Sequence, residues 1–231
     1  MFTLLARFLD LIAPRVCPVC GNKLALQETV CCTECLLDFA PTHYEDNPKE
    51  NYMAQMFYGL IPVEKAVGVF YYKSGNRLAH VVERFKYKNQ PQLAYEMGRI
   101  CAQRLLKSNF FDGIDCLVPV PLARKRERHR GYNQSLELAR GIADITHLPV
   151  ESKAVRRKYF SKSQTNLDRM QRNLNTEDTF QLHRPNRLAH KHVLLIDDVA
   201  TTGATLRACG GEILRADDVT LSILTLALTK D

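Results

Sequence analysis

One stretch of the 231-residue chain restricts its fold more than any other: His192-Val-Leu-Leu-Ile-Asp197-Asp198-Val-Ala-Thr201-Thr202-Gly203-Ala204-Thr205. A short apolar run bounded by turn residues is a buried strand. A loop of small residues then opens a helix reaching about Ala216, and an apolar strand spans 220–228. The same alternation recurs upstream. A strand runs from Ala66 to Tyr72, with its turn at Ser74-Gly75-Asn76. A helix follows from Arg77 to Lys86, where Leu78, Val81, Val82 and Phe85 recur at helical spacing. A second helix covers about 91–106, with Leu93, Met97, Ile100, Cys101 and Leu105 on its inner face. Residues 114–120 form a short strand ending at Pro121, and a helix runs from about Tyr132 to Ile145. Strands alternating with helices imply an α/β domain with a mostly parallel sheet flanked by helices. Residues 153–180 are polar, basic and without periodicity. They are too long for an ordinary connection and read as a functional loop or hairpin.

The cysteines fall into two groups. Cys17-Pro-Val-Cys20 and Cys32-Thr-Glu-Cys35 are paired knuckles, with Gly21 suited to the tight turn after the first. Four thiolates at such spacing complete a tetrahedron around one structural zinc ion, each about 2.3 Å from the metal. Disulfides and a redox C-x-x-C are rival readings. Nothing signals secretion, and cytosolic thiols stay reduced. Cys31 stands next to Cys32 and could take its place in the register. Cys101, Cys116 and Cys209 lie in apolar segments and read as buried small hydrophobes.

Composition closes off several classes. With 45% hydrophobic and 25% charged residues, the chain is neither disordered nor collagenous nor a coiled coil. No apolar run approaches the roughly 18 residues of a membrane span. Residues 2–13 are interrupted by Arg7 and Asp10 and make a poor signal peptide, so a cytoplasmic protein is expected. The net charge of +7 is uneven. Residues 124–172 hold 13 of the 32 basic and 5 of the 25 acidic side chains, a net of +8. That segment is either a solvated basic face or a site for phosphate, pyrophosphate or nucleic acid.

The chemistry converges on the 192–205 segment. Its strand delivers two adjacent carboxylates at the C-terminal edge, where ligands bind in open α/β sheets. Small loop residues let backbone N–H groups wrap a phosphate, with the Thr201, Thr202 and Thr205 hydroxyls and a helix N-terminus as further donors. Carboxylates repel phosphate, but they suit two sugar hydroxyls or waters on magnesium. The combination reads as a site for a phosphorylated ribose. The plain alternative is a capped helix preceded by a threonine turn.

This segment resembles the phosphoribosyl pyrophosphate motif of type I phosphoribosyltransferases. The paired knuckles, Phe85-Lys86-Tyr87, Val118-Pro-Val-Pro-Leu122, Arg130-Gly-Tyr-Asn-Gln134 and Ser163-Gln-Thr165 with Arg172, Asn175 and Phe180 follow in an order that resembles the competence protein F (ComF) family. These are bacterial phosphoribosyltransferase-like proteins associated with DNA uptake, and the resemblance covers nearly the whole chain. It implies that Asp197 and Asp198 contact the ribose hydroxyls, directly or through water and Mg²⁺. Ala200, Thr201, Thr202, Gly203, Ala204 and Thr205 would hold the 5′-phosphate. Val120 and Pro121 would form the pyrophosphate turn, with Arg124, Arg128 and Arg130 as its cations. Gln164 and Arg172 would sit on a mobile loop that closes over the reaction and excludes water. Catalysis would rest on cations and metal at the leaving group, with Asp197, Asp198, Arg124 and Arg128 as the catalytic set. No histidine has a paired acid at useful spacing, so none reads as a nucleophile or base.

The expected organisation is a four-cysteine, zinc-ribbon-like module with a leading helix over 1–45, a linker or partial hood over 46–65, and a phosphoribosyltransferase-like domain over 66–231. Only Thr229-Lys230-Asp231 follow the last strand, so an acceptor pocket would have to come from residues 36–65 or the zinc module. Phe39, His43, Tyr44, Tyr52, Phe57 and Tyr58 offer rings there, for stacking on a base or for packing. The acceptor is not legible. Three readings remain: a transferase, including one of nucleobase-salvage type; a non-catalytic protein handling single-stranded DNA that keeps the donor site as sensor or anchor; and a zinc-scaffolded adaptor. DNA-uptake proteins are candidate partners, and sheet domains of this kind often pair as homodimers.

Overall fold

A computed structural model describes residues 14–158 and 179–229. Among them, four strands form one parallel sheet: β1 (Ala66–Tyr72), β2 (Cys116–Pro119), β5 (His192–Ala200) and β6 (Thr220–Thr229), in the order β1-β6-β5-β2. Two short strands, β3 (Val155–Arg157) and β4 (Phe180–Leu182), pair antiparallel as a separate two-stranded sheet, so the two ends of the basic 153–180 segment pair with each other. The residues joining them at 159–178 lie outside the described set.

The sheet is apolar on both faces because helices cover both. Leu194 and Ile196 of β5, with Leu224 and Leu226 of β6, face a core shared with α3 (Arg77–Tyr87), α4 (Pro91–Leu105) and α6 (Gln134–Thr146). Val193, Leu195, Leu221 and Ile223 face the opposite core, with α7 (Ala204–Ile213), the β3–β4 pair and Phe57. Asn76 and Asn133 cap α3 and α6, their side-chain oxygens accepting from Ala79 N (2.8 Å) and Ser135 N (3.1 Å). α4 and α6 cross with almost no gap. A Cβ on Gly141 would lie 1.9 Å from the Tyr95 carbonyl oxygen, and one on Gly98 would lie 2.2 Å from that of Leu138.

Two elements differ from the sequence expectation. Residues 124–130 are a helix, α5 (Arg124–Arg130), closed by Gly131 in the left-handed region at φ +82. β5 continues two residues past its acids, because Val199 and Ala200 still pair with Ala227 and Leu228 of the longer neighbouring strand. Asp197 and Asp198 thus lie near the C-terminal end of β5, where the sequence pattern places them. Upstream, part of the 46–65 segment is a short helix, α2 (Tyr52–Gln55), which buries Met53. The first described helix, α1 (Thr33–Leu37), starts within the second cysteine knuckle, and the leading helix expected before the first knuckle lies outside the described residues. No described helix is long and apolar enough to cross a membrane.

Candidate functional site

The N-terminal cysteines converge. The Sγ atoms of Cys17, Cys20, Cys32 and Cys35 all lie within 4.8 Å of one another, with Cys20 and Cys32 3.6 Å apart. A zinc tetrahedron with bonds of about 2.3 Å has edges of roughly 3.8 Å, so this quartet fits a zinc ion. The fold around it follows from the sequence. Gly21 takes φ +78, its N–H reaches the Cys17 carbonyl at 2.9 Å, and Val16 bridges Lys23 to close the knuckle. The Cys32 N–H points at Cys17 Sγ at 3.4 Å, and Glu28 accepts from the Thr33 N–H at 2.6 Å to fix the start of α1. Cys31 is buried outside the quartet, its thiol pushed up to about 12 by burial and then by the neighbouring thiols. Of the two neighbours, it is thus the Cys32 sulfur that lies with the other three. Cys101, Cys116 and Cys209 are buried as expected.

At the C-terminal edge of the sheet, β5, α3 and the start of α6 meet. Asp198 shares the face of Ile196 and is 5% exposed. Its Oδ1 lies 3.0 Å from the Lys86 ammonium of α3 and accepts the Val199 N–H at 2.6 Å. Its Oδ2 is buried with no partner among the described residues. Asp197 Oδ1 accepts from Ser135 Oγ at 2.8 Å and from the Asp198 N–H at 2.9 Å. Desolvation, and then the Asp198 charge, push the Asp197 carboxyl up to about 7. Adjacent hard oxygens, one of them unsatisfied, form a donor set that suits Mg²⁺ or sugar hydroxyls. Below the acids, Gly203 at φ +70 starts α7, and a Cβ there would come 3.4 Å from Phe57. Thr201, Thr202 and Thr205 are exposed around this helix start.

The turn after β2 is tied to the same edge. The Val120 N–H donates to the Ile196 carbonyl at 2.9 Å, and Asn133 Nδ2 donates to the Val120 carbonyl at 3.0 Å. Pro121 is half-buried beyond it. Arg128 is exposed on α5, whereas Arg130 places its guanidinium 5.3 Å from the ring centre of Tyr87. Arg124 opens α5. Gln164 and Arg172 lie outside the described residues. Three contributors escaped the sequence reading of roles. Lys86 appeared only as part of a motif, Ser135 as a helix residue, and Arg157 not at all. Arg157 stacks on Phe180, 5.0 Å from the ring centre. Burial, and then the nearby Arg126 charge, lower its guanidinium, while Asp197 opposes that shift. Of the candidate rings, Phe39 and Phe57 are buried and Tyr44 packs edge-on against Tyr71, leaving His43, Tyr52 and Tyr58 exposed.

No protein-family model matches the chain. Curated relatives do. The DNA utilization protein YhgH of Shigella flexneri is 25% identical over 217 residues, covering 93% of this chain and 90% of that one. Competence protein F of Haemophilus influenzae is 29% identical over 133 residues, covering 56% and 58%. Competence protein ComFC of Bacillus subtilis is 25% identical, covering 84% and 70%. This chain is a homologue of the competence protein F and ComFC proteins. The resemblance to the ComF family is thus joined by relatives that carry competence names, the ComFC match covering 84% of this chain. Solved structures with a local likeness include the allosteric regulatory enzyme of purine biosynthesis, at 18% identity and a TM-score of 0.42. That likeness covers 61% of this chain, which spans only 29% of the enzyme's length. The hypoxanthine phosphoribosyltransferase of Trypanosoma cruzi is 13% identical at a TM-score of 0.36, with coverage of 61% and 78%.

Proposed function

We propose that this ComF homologue binds phosphoribosyl pyrophosphate together with Mg²⁺ at the C-terminal edge of its sheet and acts in the handling of incoming DNA. The observation that carries the reading is the buried, unpartnered Oδ2 of Asp198, beside a second carboxylate and one loop away from a Gly203-started helix ringed by exposed threonines. A buried acceptor without a donor is costly, and a ribose hydroxyl or a metal-bound water would satisfy it. The Gly203–Thr205 helix start would take the 5′-phosphate, since its first N–H groups have no partner within the helix. The Val120-Pro121 turn and the α5 arginines would face the pyrophosphate. Mg²⁺ would be held at Asp197 and Asp198, where it would neutralise developing charge on the leaving group.

If transfer occurs, the C1′–O bond to pyrophosphate breaks with its electron pair leaving on the pyrophosphate, and the acceptor's nucleophile closes on the cationic C1′. The chain's part is then to fix the donor, stabilise the leaving anion with its cations and hold carboxylates near the cationic centre. The DNA role follows the names of the relatives, competence protein and DNA utilization protein. On this reading residues 1–45 are a zinc module, 46–65 a connecting segment and 66–231 the donor-binding domain. The test is calorimetric titration with phosphoribosyl pyrophosphate, with and without Mg²⁺. Micromolar, magnesium-dependent binding is expected, and its absence refutes the donor site.

A second reading has its own observation. Tyr87 is 67% exposed and stacked by Arg130, next to exposed Arg126 and Arg128. An open ring among cations suits a base of single-stranded DNA with its phosphates on the arginines. Fluorescence anisotropy with labelled oligonucleotide should then show salt-dependent binding that phosphoribosyl pyrophosphate displaces.

A further inference from the structure

The ammonium of Lys86 holds one oxygen of Asp198 at 3.0 Å, with the two side chains only 19% and 7% exposed. Asp197 stands next in the strand with its own carboxylate, held by a neutral hydroxyl, Ser135 Oγ. The Lys86 ammonium therefore pairs with Asp198 alone, and Asp198 Oδ2 is still left without a donor among the described residues. Charges this far out of water persist only where they are paired, and removing either partner leaves the other exposed to the full desolvation cost. A bare divalent cation arriving at the free Asp198 Oδ2 would stand beside the Lys86 ammonium, like charge against like, and would offer it no anion to turn to. A cation arriving on a diphosphate brings phosphate oxygens to which the released ammonium can turn.

We propose that Lys86 is a resident counter-cation of the acid pair: it keeps free divalent metal away from Asp197 and Asp198, and gives way only to a metal–diphosphate complex. This rests on the donor-site reading and deepens it, because it makes the ligand the metal complex and sets one order of binding. No covalent bond changes; one ion pair is exchanged for another.

The test uses the full, zinc-loaded chain with Mn²⁺ as a spectroscopic probe, read by electron paramagnetic resonance, in wild type, Lys86→Gln and Lys86→Arg. Without diphosphate, Lys86→Gln should bind Mn²⁺ at least tenfold more tightly than wild type, with Lys86→Arg restoring the wild-type weakness. With inorganic pyrophosphate present the order should invert, Lys86→Gln binding the complex at least tenfold more weakly. Equal Mn²⁺ affinity in wild type and Lys86→Gln overturns the counter-cation. A gain in Mn²⁺ binding with no pyrophosphate effect in any of the three proteins overturns the exchange, and no phosphoribosyl pyrophosphate binding by wild type refutes the donor-site reading separately. Should Lys86→Gln fail to fold, a double variant with Asp198→Asn removes the stranded charge. Its pyrophosphate-dependent Mn²⁺ binding should then fall at least tenfold below that of Asp198→Asn alone, and equal binding by these two variants overturns the proposal.

Discussion

The chain carries two clusters of ligand-type side chains, and they are finished to different degrees. In the cysteine knuckles four soft sulfurs face one another within 4.8 Å, a backbone N–H points at Cys17 Sγ, and Glu28 locks the start of the next helix. At the sheet edge two hard carboxylates stand side by side, one of them holding the Lys86 ammonium, one oxygen is left without a donor, and three threonines stand exposed. Four thiolates satisfy a zinc ion completely and leave no position for a substrate. The acid edge keeps its valences open. A closed set of ligands builds structure, and an unsatisfied set is available for binding, so the two clusters should respond to the same kind of change in opposite ways.

The largest effect is expected at the closed cluster. Replacing Cys17 and Cys20 by Ser removes half of the quartet, and the binding energy of a structural zinc is folding energy. Cys17, Leu24, Val30, Cys35 and Phe39 belong to the same apolar cluster as Val67 and Phe70 of β1. Loss of zinc should therefore also uncover the sheet. Metal analysis should find one equivalent of zinc in wild type and none in the variant. The melting temperature should fall by about 10 °C or more, taking roughly 2–4 °C per kcal/mol for a chain of this size. A zinc-free wild type, purified without chelator, would collapse the contrast between the clusters.

A smaller loss is expected from Gly141→Ala, which touches neither cluster. Its Cβ would sit 1.9 Å from the Tyr95 carbonyl oxygen, a backbone atom that cannot rotate away. α4 and α6 must separate, at a cost of about 3 kcal/mol, the upper range for overpacking. Because Ser135 and Asn133 open α6, the shift also reaches Asp197 through the Ser135 hydroxyl. Denaturant unfolding should show the loss while zinc content stays at one equivalent. Unchanged stability would mean that the crossing is looser than the glycines indicate.

Which of these features was legible in the sequence depends on range. The β1 strand, the α3 and α4 helices and the β5–α7 unit follow from periodicity and turn residues, and the structure places them within a few residues. Asp197, Asp198 and the threonine loop are contiguous and so declare themselves. Lys86 and Ser135 do not, because each is an ordinary helical residue whose partner lies far along the chain, Ser135 being 62 positions from Asp197. Arg157 is visible only once β3 pairs with β4 and sets it over Phe180. The choice of Cys32 over Cys31 needed the turn geometry as well as the spacing. Local pattern gives the elements and the contiguous motif, and charge compensation between elements appears only with the fold.

The smallest effect, and the one that most sharpens the comparison, is a pH dependence at the open cluster. The Asp197 carboxyl is pushed up to about 7 by desolvation and by Asp198, against an ordinary value near 3.8. Its folded-state value is raised, so between those two values the native chain binds the proton that the unfolded chain has lost. Stability contributed by the neutral form is then complete below about pH 4 and is lost as pH rises through 7. Asn cannot ionise and escapes that loss. Asp197→Asn should therefore melt a few degrees above wild type at pH 8, and the two curves should converge near pH 4, while zinc content stays the same at pH 8. The same substitution should weaken magnesium-dependent binding of phosphoribosyl pyrophosphate. A gain in stability together with a loss of binding is the signature of a carboxylate kept for its ligand at the expense of the fold. If Asp197→Asn melts with wild type at pH 8, the strain assigned to the acid pair is absent, and the contrast between the closed and open clusters rests on the unpartnered Asp198 oxygen alone.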